Sequence, residues 1–158
     1  VSIVLTQKPD VQNLTVEEVI GLGRSPYTGF FGRFHDADRT VIADALASVG
    51  IEPLRHRMIQ TLSDGERQKV MIAKALAQQT PVILLDEPTA FLDFPSKAET
   101  FRLLQRMAHD RDKLILLSTH DLELAVRFAD CLLEVKDRSL HRVSADEVKA
   151  SMQAVLDG

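Results

Sequence analysis

Two unbroken apolar runs, Val82–Leu85 and Leu114–Leu117, predict strands over Val82–Asp86 and Leu114–Ser118. Such continuous runs are the mark of strands buried on both faces of a parallel sheet. Ser2–Leu5 predicts a further strand that ends at Gln7, before a loop through Lys8-Pro9-Asp10. Elsewhere the period is helical. Asp38 to Val49 repeats apolar residues at Val41, Ile42, Ala45, Leu46 and Val49 and stops at Gly50. Thr15 with Glu18 and Ser63 with Glu66 have capping-box spacing. The first opens a helix through Leu22, ended by Gly23 and Pro26; the second opens one that runs to about Gln79. Pro26–Phe34 reads as a loop carrying Gly29, Gly32 and exposed aromatics. Further helices are expected from about Ser96 to His109 and from about Leu122 to Phe128. Cys131–Val135 and Leu140–Val143, split by Asp137-Arg138, predict a hairpin, and Ser144 with Glu147 caps a last helix. Helices thus come first, over residues 15–79, and then strand, helix, strand, helix. The order predicts an α/β fold, a parallel layer with a helical insertion before it.

Composition narrows the class. Apolar residues make up 45% and charged residues 27%, the balance of a soluble globular chain rather than a disordered one. A net charge of −4 argues against nucleic acid as the main partner, and Arg55, His56 and Arg57 read as a solvated face. A single cysteine, Cys131, excludes an internal disulfide framework and fits a reducing compartment. No apolar run approaches the ~20 residues of a membrane span. Val1 opens an apolar run with neither a basic leader nor an initiating Met, so the expectation is a chain entered within a domain.

Three segments carry chemistry. Val82-Ile83-Leu84-Leu85-Asp86-Glu87-Pro88 ends a buried strand in adjacent carboxylates, at the edge where open α/β sheets place ligands. Adjacent acids are costly unless a cation or solvent offsets them. The functional reading gives Asp86 a Mg²⁺ ion and Glu87 the attacking water of a nucleoside triphosphatase; solvated acids at a strand end are the structural alternative. Leu62-Ser63-Asp64-Gly65-Glu66-Arg67-Gln68 is a helix start, and a helix start beside a glycine is also an anion site. Ser118-Thr119-His120-Asp121 follows the second apolar strand; His120 there is either structural or, beside a triphosphate, a γ-phosphate contact.

In order and spacing these motifs resemble the ATP-binding-cassette (ABC) family over essentially the whole chain. Gln7 lies where that family has its Q-loop glutamine, and Ser63-Asp64-Gly65-Glu66 lies at its signature. Val82–Glu87 matches Walker B with the catalytic glutamate, Ala90–Asp93 the D-loop and His120 the switch histidine. The signature departs from Leu-Ser-Gly-Gly-Gln at Asp64 and Glu66 and keeps Ser63 and Gly65. No Gly-Lys pair occurs, so the Gly-x-x-x-x-Gly-Lys-Ser/Thr loop is missing and is expected upstream of Val1. The resemblance implies a partial P-loop NTPase (RecA-like) parallel sheet with an ABC-type helical subdomain. It divides into a Q-loop region over 1–14, helical subdomain and signature over 15–79, and core over 80–158. Val16-Glu17-Glu18-Val19 and Gly21-Leu22-Gly23-Arg24-Ser25-Pro26-Tyr27, extended by Thr28-Gly29-Phe30-Phe31-Gly32, are similar to importers of iron–siderophore, haem and cobalamin. In the family this region meets the membrane subunit; Phe30, Phe31 and Phe34 packing under their own loop is the alternative.

What the resemblance implies about mechanism is a head-to-tail homodimer with ATP and Mg²⁺ at the interface. Asp86 and Gln7 would serve the metal, Glu87 the water and His120 the γ-phosphate. Ser63 and Gly65 would meet the partner's nucleotide, and Asp93 would reach across the dimer. A transmembrane permease subunit is the expected partner, with a periplasmic or surface substrate-binding protein acting indirectly, at the cytoplasmic face of the cell membrane. ATP hydrolysis is the expected activity of the full-length protein; this stretch without the phosphate loop is expected to be inactive. Two other classes stay open. One is a soluble ABC ATPase of translation or DNA repair, although only about fifty-five residues separate Gln7 from Ser63, too few for a repair-type coiled coil. The other is a non-enzymatic binding module.

Overall fold

A computed structural model describes residues 1–6, 13–27 and 34–156. Gln7 and the Thr28–Gly32 stretch, both singled out above, lie outside the described residues. The chain divides into two units, Val1–Ser118 and Thr119–Gly158.

In the first unit, β1 (Ser2–Val4), β2 (Val82–Asp86) and β3 (Leu114–Ser118) form a parallel sheet in the order β1-β2-β3. Ser2 pairs with Ile83, Ile83 with Ile115, and Asp86 with Ser118. One face is sealed: Val4, Ile83 and Leu85 are buried, with Ile115 and Leu117 packed against the same core. On the opposite face Ile3, Leu114 and Leu116 are exposed and Leu84 is half-buried. Within this stretch of chain, burial is therefore seen on one face of the sheet.

Four helices complete the unit: α1 (Val16–Gly21), α2 (Asp36–Val49), α3 (Asp64–Ala77) and α4 (Phe94–Asp110). The predicted capping boxes form. The Glu18 carboxylate accepts from the Thr15 N–H at 2.7 Å, and the Glu66 carboxylate accepts from the Ser63 N–H at 2.8 Å. Helix α2 starts two residues earlier than its apolar period suggests, because the Asp38 carboxylate accepts from the His35 N–H at 3.0 Å. It ends on Gly50 at φ 70°, the left-handed cap that glycine adopts without strain. Helix α4 starts at Phe94, since Asp93 caps it and Pro95 fits the first turn.

Beyond α1 a 3₁₀ turn, Leu22–Arg24, meets the end of α3. A Cβ on Gly23 would lie 2.3 Å from the Lys74 carbonyl oxygen, so only glycine allows this approach. The neighbouring Arg24 is buried: its Nε donates to Asp38 at 2.9 Å, and its Nη1 donates to the carbonyl of Ala77 and to the Gln79 side chain. The guanidinium also stacks on the Tyr27 ring, whose hydroxyl donates to the Gln78 carbonyl at 2.8 Å. Phe34 is partly exposed and packs over Gly21. Of the residues read as a solvated face, Arg55 is half-buried and pairs with Glu17, while His56 and Arg57 are exposed.

The second unit holds α5 (Leu122–Phe128), the hairpin β4 (Leu132–Lys136) and β5 (Ser139–Val143), and α6 (Ala145–Leu156). Asp137 and Arg138 both take positive φ, the turn that matches hairpin twist. Ser144 and Glu147 cap α6 as predicted. Among the described residues no helix is long and apolar enough to cross a membrane.

Candidate functional site

The parallel register delivers Asp86 to the carboxyl end of the central strand, where the chain turns away through Glu87, Pro88 and Thr89. Asp86 is exposed and Thr89 fully buried, so the turn is anchored from behind and presents its acid outward. The Ala90 N–H donates to the Glu87 carbonyl at 3.0 Å, and the Leu92 N–H donates to the Thr89 carbonyl at 3.2 Å. Glu87 has φ 44° and Phe91 φ 69°, left-handed values that residues with a Cβ seldom take. Backbone of this kind costs of order 1–3 kcal/mol per residue and persists where the surroundings fix it.

Two hydroxyls outside the motif hold Asp86, and one of them also holds the Glu87 amide. Thr6 donates to one Asp86 carboxylate oxygen at 2.7 Å, and Ser118 donates to the other at 2.8 Å. The Ser118 hydroxyl also accepts from the Glu87 N–H at 3.0 Å. The Thr6 hydroxyl first and that of Ser118 second hold the Asp86 carboxyl below the usual aspartate range. Asp86 is thus ionised at neutral pH and fixed in orientation. Sequence reasoning missed Thr6 altogether and gave Ser118 no role. A findable signal existed for Ser118, a hydroxyl in register with the acid on the neighbouring parallel strand.

Ser63 stands before α3 as its N-cap. Its hydroxyl accepts from the Glu66 N–H at 3.3 Å. The Ser63 N–H and then its hydroxyl hold the Glu66 carboxyl low. Gly65 lies in the first turn, where an added Cβ would meet the Ser96 hydroxyl at 3.4 Å. The starts of α3 and α4 are therefore neighbours. Asp93 caps α4 by accepting from the Ser96 N–H at 3.1 Å, and the Ser96 side chain, then its N–H, lowers its carboxyl. The structure thus brings Asp86 and Glu87 together at one end of the sheet, and Gly65 together with the Asp93-capped helix start. His120 is an exposed residue of the second unit, where its carbonyl accepts from the Leu122 N–H at 3.0 Å.

Among the described residues no three His, Cys, Asp or Glu side chains gather as a metal cage. Asp86 has the chemistry of a different site. Mg²⁺ commonly takes one or two carboxylates and completes its shell with phosphate oxygens and water. An exposed, ionised and pre-oriented single carboxylate fits that donor set.

Comparison with known proteins bears on this arrangement. Residues 1–90 match the family model described as ABC transporter. The iron(3+)-hydroxamate import ATP-binding protein FhuC of Bacillus subtilis (strain 168) is 42% identical over 134 residues, 84% of this chain and 50% of that protein. A metal-chelate type ABC transporter in an inward-facing conformation superposes with a TM-score of 0.85 at 26% identity, covering 92% of this chain and 58% of the other. A bacterial ABC transporter cassette, MJ0796, solved as a dimer, gives a TM-score of 0.74 at 27% identity, covering 92% of this chain and 62% of the other. The chain spans about half the length of the curated relatives it matches. The fold is the α/β architecture of ABC cassettes in part, a parallel sheet with its helical layer. By the family match and the sheet that carries it, the chain belongs to the ABC transporter family.

Proposed function

We propose that the whole protein is the ATP-binding and ATP-hydrolysing subunit of an ABC importer for iron–siderophore, haem or cobalamin cargo. The observation that carries the ATPase reading is the Asp86–Glu87 pair, one acid pre-oriented and exposed, the next on a left-handed turn beside it. The importer reading is supported by the likeness to the hydroxamate import protein and to the metal-chelate type transporter. That likeness favours transport over a soluble role in translation or repair.

Asp86, with Gln7, holds Mg²⁺ in this reading, and the bound ion supplies charge neutralisation for the phosphates. Glu87 orients and deprotonates the attacking water. His120 hydrogen-bonds the γ-phosphate. Ser63 and Gly65 approach the nucleotide of a second subunit, and Asp93 reaches towards that site. The working unit in this reading is a head-to-tail pair; that the MJ0796 cassette was solved as a dimer supports pairing. A permease subunit in the membrane is the partner, with a substrate-binding protein acting through it. The subunit then sits peripherally at the cytoplasmic face of the cell membrane.

Glu87→Gln in the whole protein tests the reading. The amide keeps shape and loses the base, so ATP binding is retained and turnover falls ~10²-fold or more. Near-normal turnover would overturn the assignment. In the same background, sedimentation with ATP reads the dimer, and adding Ser63→Arg should abolish it. An unchanged dimer fraction counts against the contribution of Ser63 across the interface.

A further inference from the structure

We propose that Thr6 and Ser118 are positioning residues that set Asp86 for its metal and tie that setting to the backbone of Glu87. The inference rests on the ATPase reading above and extends it to two residues outside the family motifs described earlier. An aspartate carboxylate turns about its last torsion with only weak preference. Here each oxygen is held by a different strand end: Thr6 follows β1, and Ser118 closes β3. The Thr6 hydroxyl also lies 2.9 Å from the Asp86 carbonyl, but it has one hydrogen, and the ionised carboxylate at 2.7 Å is the stronger acceptor. Both donors are neutral, so they orient the acid without cancelling its charge. Each carboxylate oxygen keeps a further lone pair for a ligand.

Ser118 does more than Thr6. Its hydroxyl donates a hydrogen bond to the Asp86 carboxylate and accepts one from the Glu87 N–H, so one atom links the first acid to the backbone of the second. Glu87 sits at φ 44°, where backbone with a Cβ needs outside restraint, and this hydrogen bond is a restraint on its amide. Loss of Thr6 therefore loosens the carboxylate alone. Loss of Ser118 loosens the carboxylate and the turn that carries Glu87.

The test uses the whole protein and Mn²⁺ as the probe, titrated in the presence of ATP and read by electron paramagnetic resonance. Thr6→Val and Ser118→Ala should each weaken Mn²⁺ binding about 10-fold, while Thr6→Ser and Ser118→Thr stay within about 2-fold, the range expected when partners of a metal ligand are removed or kept. ATP binding without divalent ion should not change. At saturating metal, kcat should recover in Thr6→Val and stay depressed in Ser118→Ala. Hydroxyls that merely tie strand ends together would lower thermal stability and leave Mn²⁺ affinity within 2-fold of the parent, which overturns the inference. Asp86→Ala separates the two levels. If it weakens Mn²⁺ binding while the hydroxyl variants do not, the inference fails and the ATPase reading stands. If it too leaves Mn²⁺ binding unchanged, the metal assignment beneath both falls.

Discussion

Asp38 and Asp86 are carboxylates of the same unit, both held below the usual aspartate range, but one faces a guanidinium and the other faces two hydroxyls. Asp38 pairs with Arg24 at 2.9 Å, and their side chains are 5% and 7% exposed. Its charge is neutralised where it stands, and the pair joins α2 to the 3₁₀ turn and to the end of α3. Asp86 is exposed, oriented by neutral donors and followed by a second acid. Charge is cancelled internally where the helical layer must be rigid. It is left standing at Asp86, where the proposed function seats a cation.

Removing the cancellation should have the largest effect on folding. Arg24→Leu leaves Asp38 buried without its partner and frees the Ala77 carbonyl and the Gln79 side chain. The melting temperature should fall by roughly 10 °C, as loss of one member of a buried pair implies. Adding Asp38→Leu should recover part of that fall, since replacing a whole buried pair by apolar groups is often tolerated, while the cap that Asp38 gives the His35 N–H is lost. A single variant that melts with the parent would show that the buried pair is not what fixes the layer.

A smaller effect sharpens the contrast between holding and binding. Thr15 and Ser63 cap their helices with the same geometry, each accepting at 3.3 Å from the N–H three residues on. Thr15→Ala and Ser63→Ala should therefore each cost about 1 kcal/mol in urea unfolding. Only the Ser63 variant should weaken the ATP-dependent dimer. Equal losses of dimer would reduce Ser63 to a cap.

The smallest effect concerns the exposed counterpart of the buried pair. The Arg111 guanidinium beside Asp44 lowers its carboxyl, as that of Arg55 beside Glu17 does. With folded values below the ordinary 3.8 and 4.5, the unfolded chain binds more protons in between. The stability from these groups is full above those values and is lost as pH falls through the lowered ones. Arg111→Ala should flatten that acid loss by less than about 1 kcal/mol, and added salt should erase the difference. An acid limb identical to the parent's at low salt would dismiss the pair.

Much of this fold is written locally. The apolar runs gave β2 and β3 with their observed ends, and Leu122–Phe128 is helical as the pattern predicts. Capping boxes are contacts between residues three apart, so a reader of sequence can see them. Asp86 and Glu87 were visible for the same reason, as acids at the tip of an apolar strand. Of their supports, Ser118 showed only as a hydroxyl closing the neighbouring apolar strand, and Thr6 not at all. Thr6 lies 80 positions from Asp86 and Ser118 lies 32 away, and only strand register brings the hydroxyls to the carboxylate. Arg24 likewise reads as a surface residue until α2 and α3 close over it.

That 80-residue span also has a consequence for the order in which the molecule assembles. Closing a loop of such length costs about 4 kcal/mol in chain entropy, whereas a capped helix closes its first turn over three or four residues. Helices α1 to α3 lie inside the span, so loop entropy predicts that they pack first. β1 with Thr6 is then expected to dock afterwards, with the Asp86 clamp among the last parts of the unit to close. Pulsed hydrogen exchange during refolding should protect α3 amides before those of β1; the reverse order would refute this sequence of events. On this order a chain caught partway through folding carries a formed helical layer and an acid still free to turn, and, if Asp86 takes the metal proposed for it, metal uptake should mark completed folding.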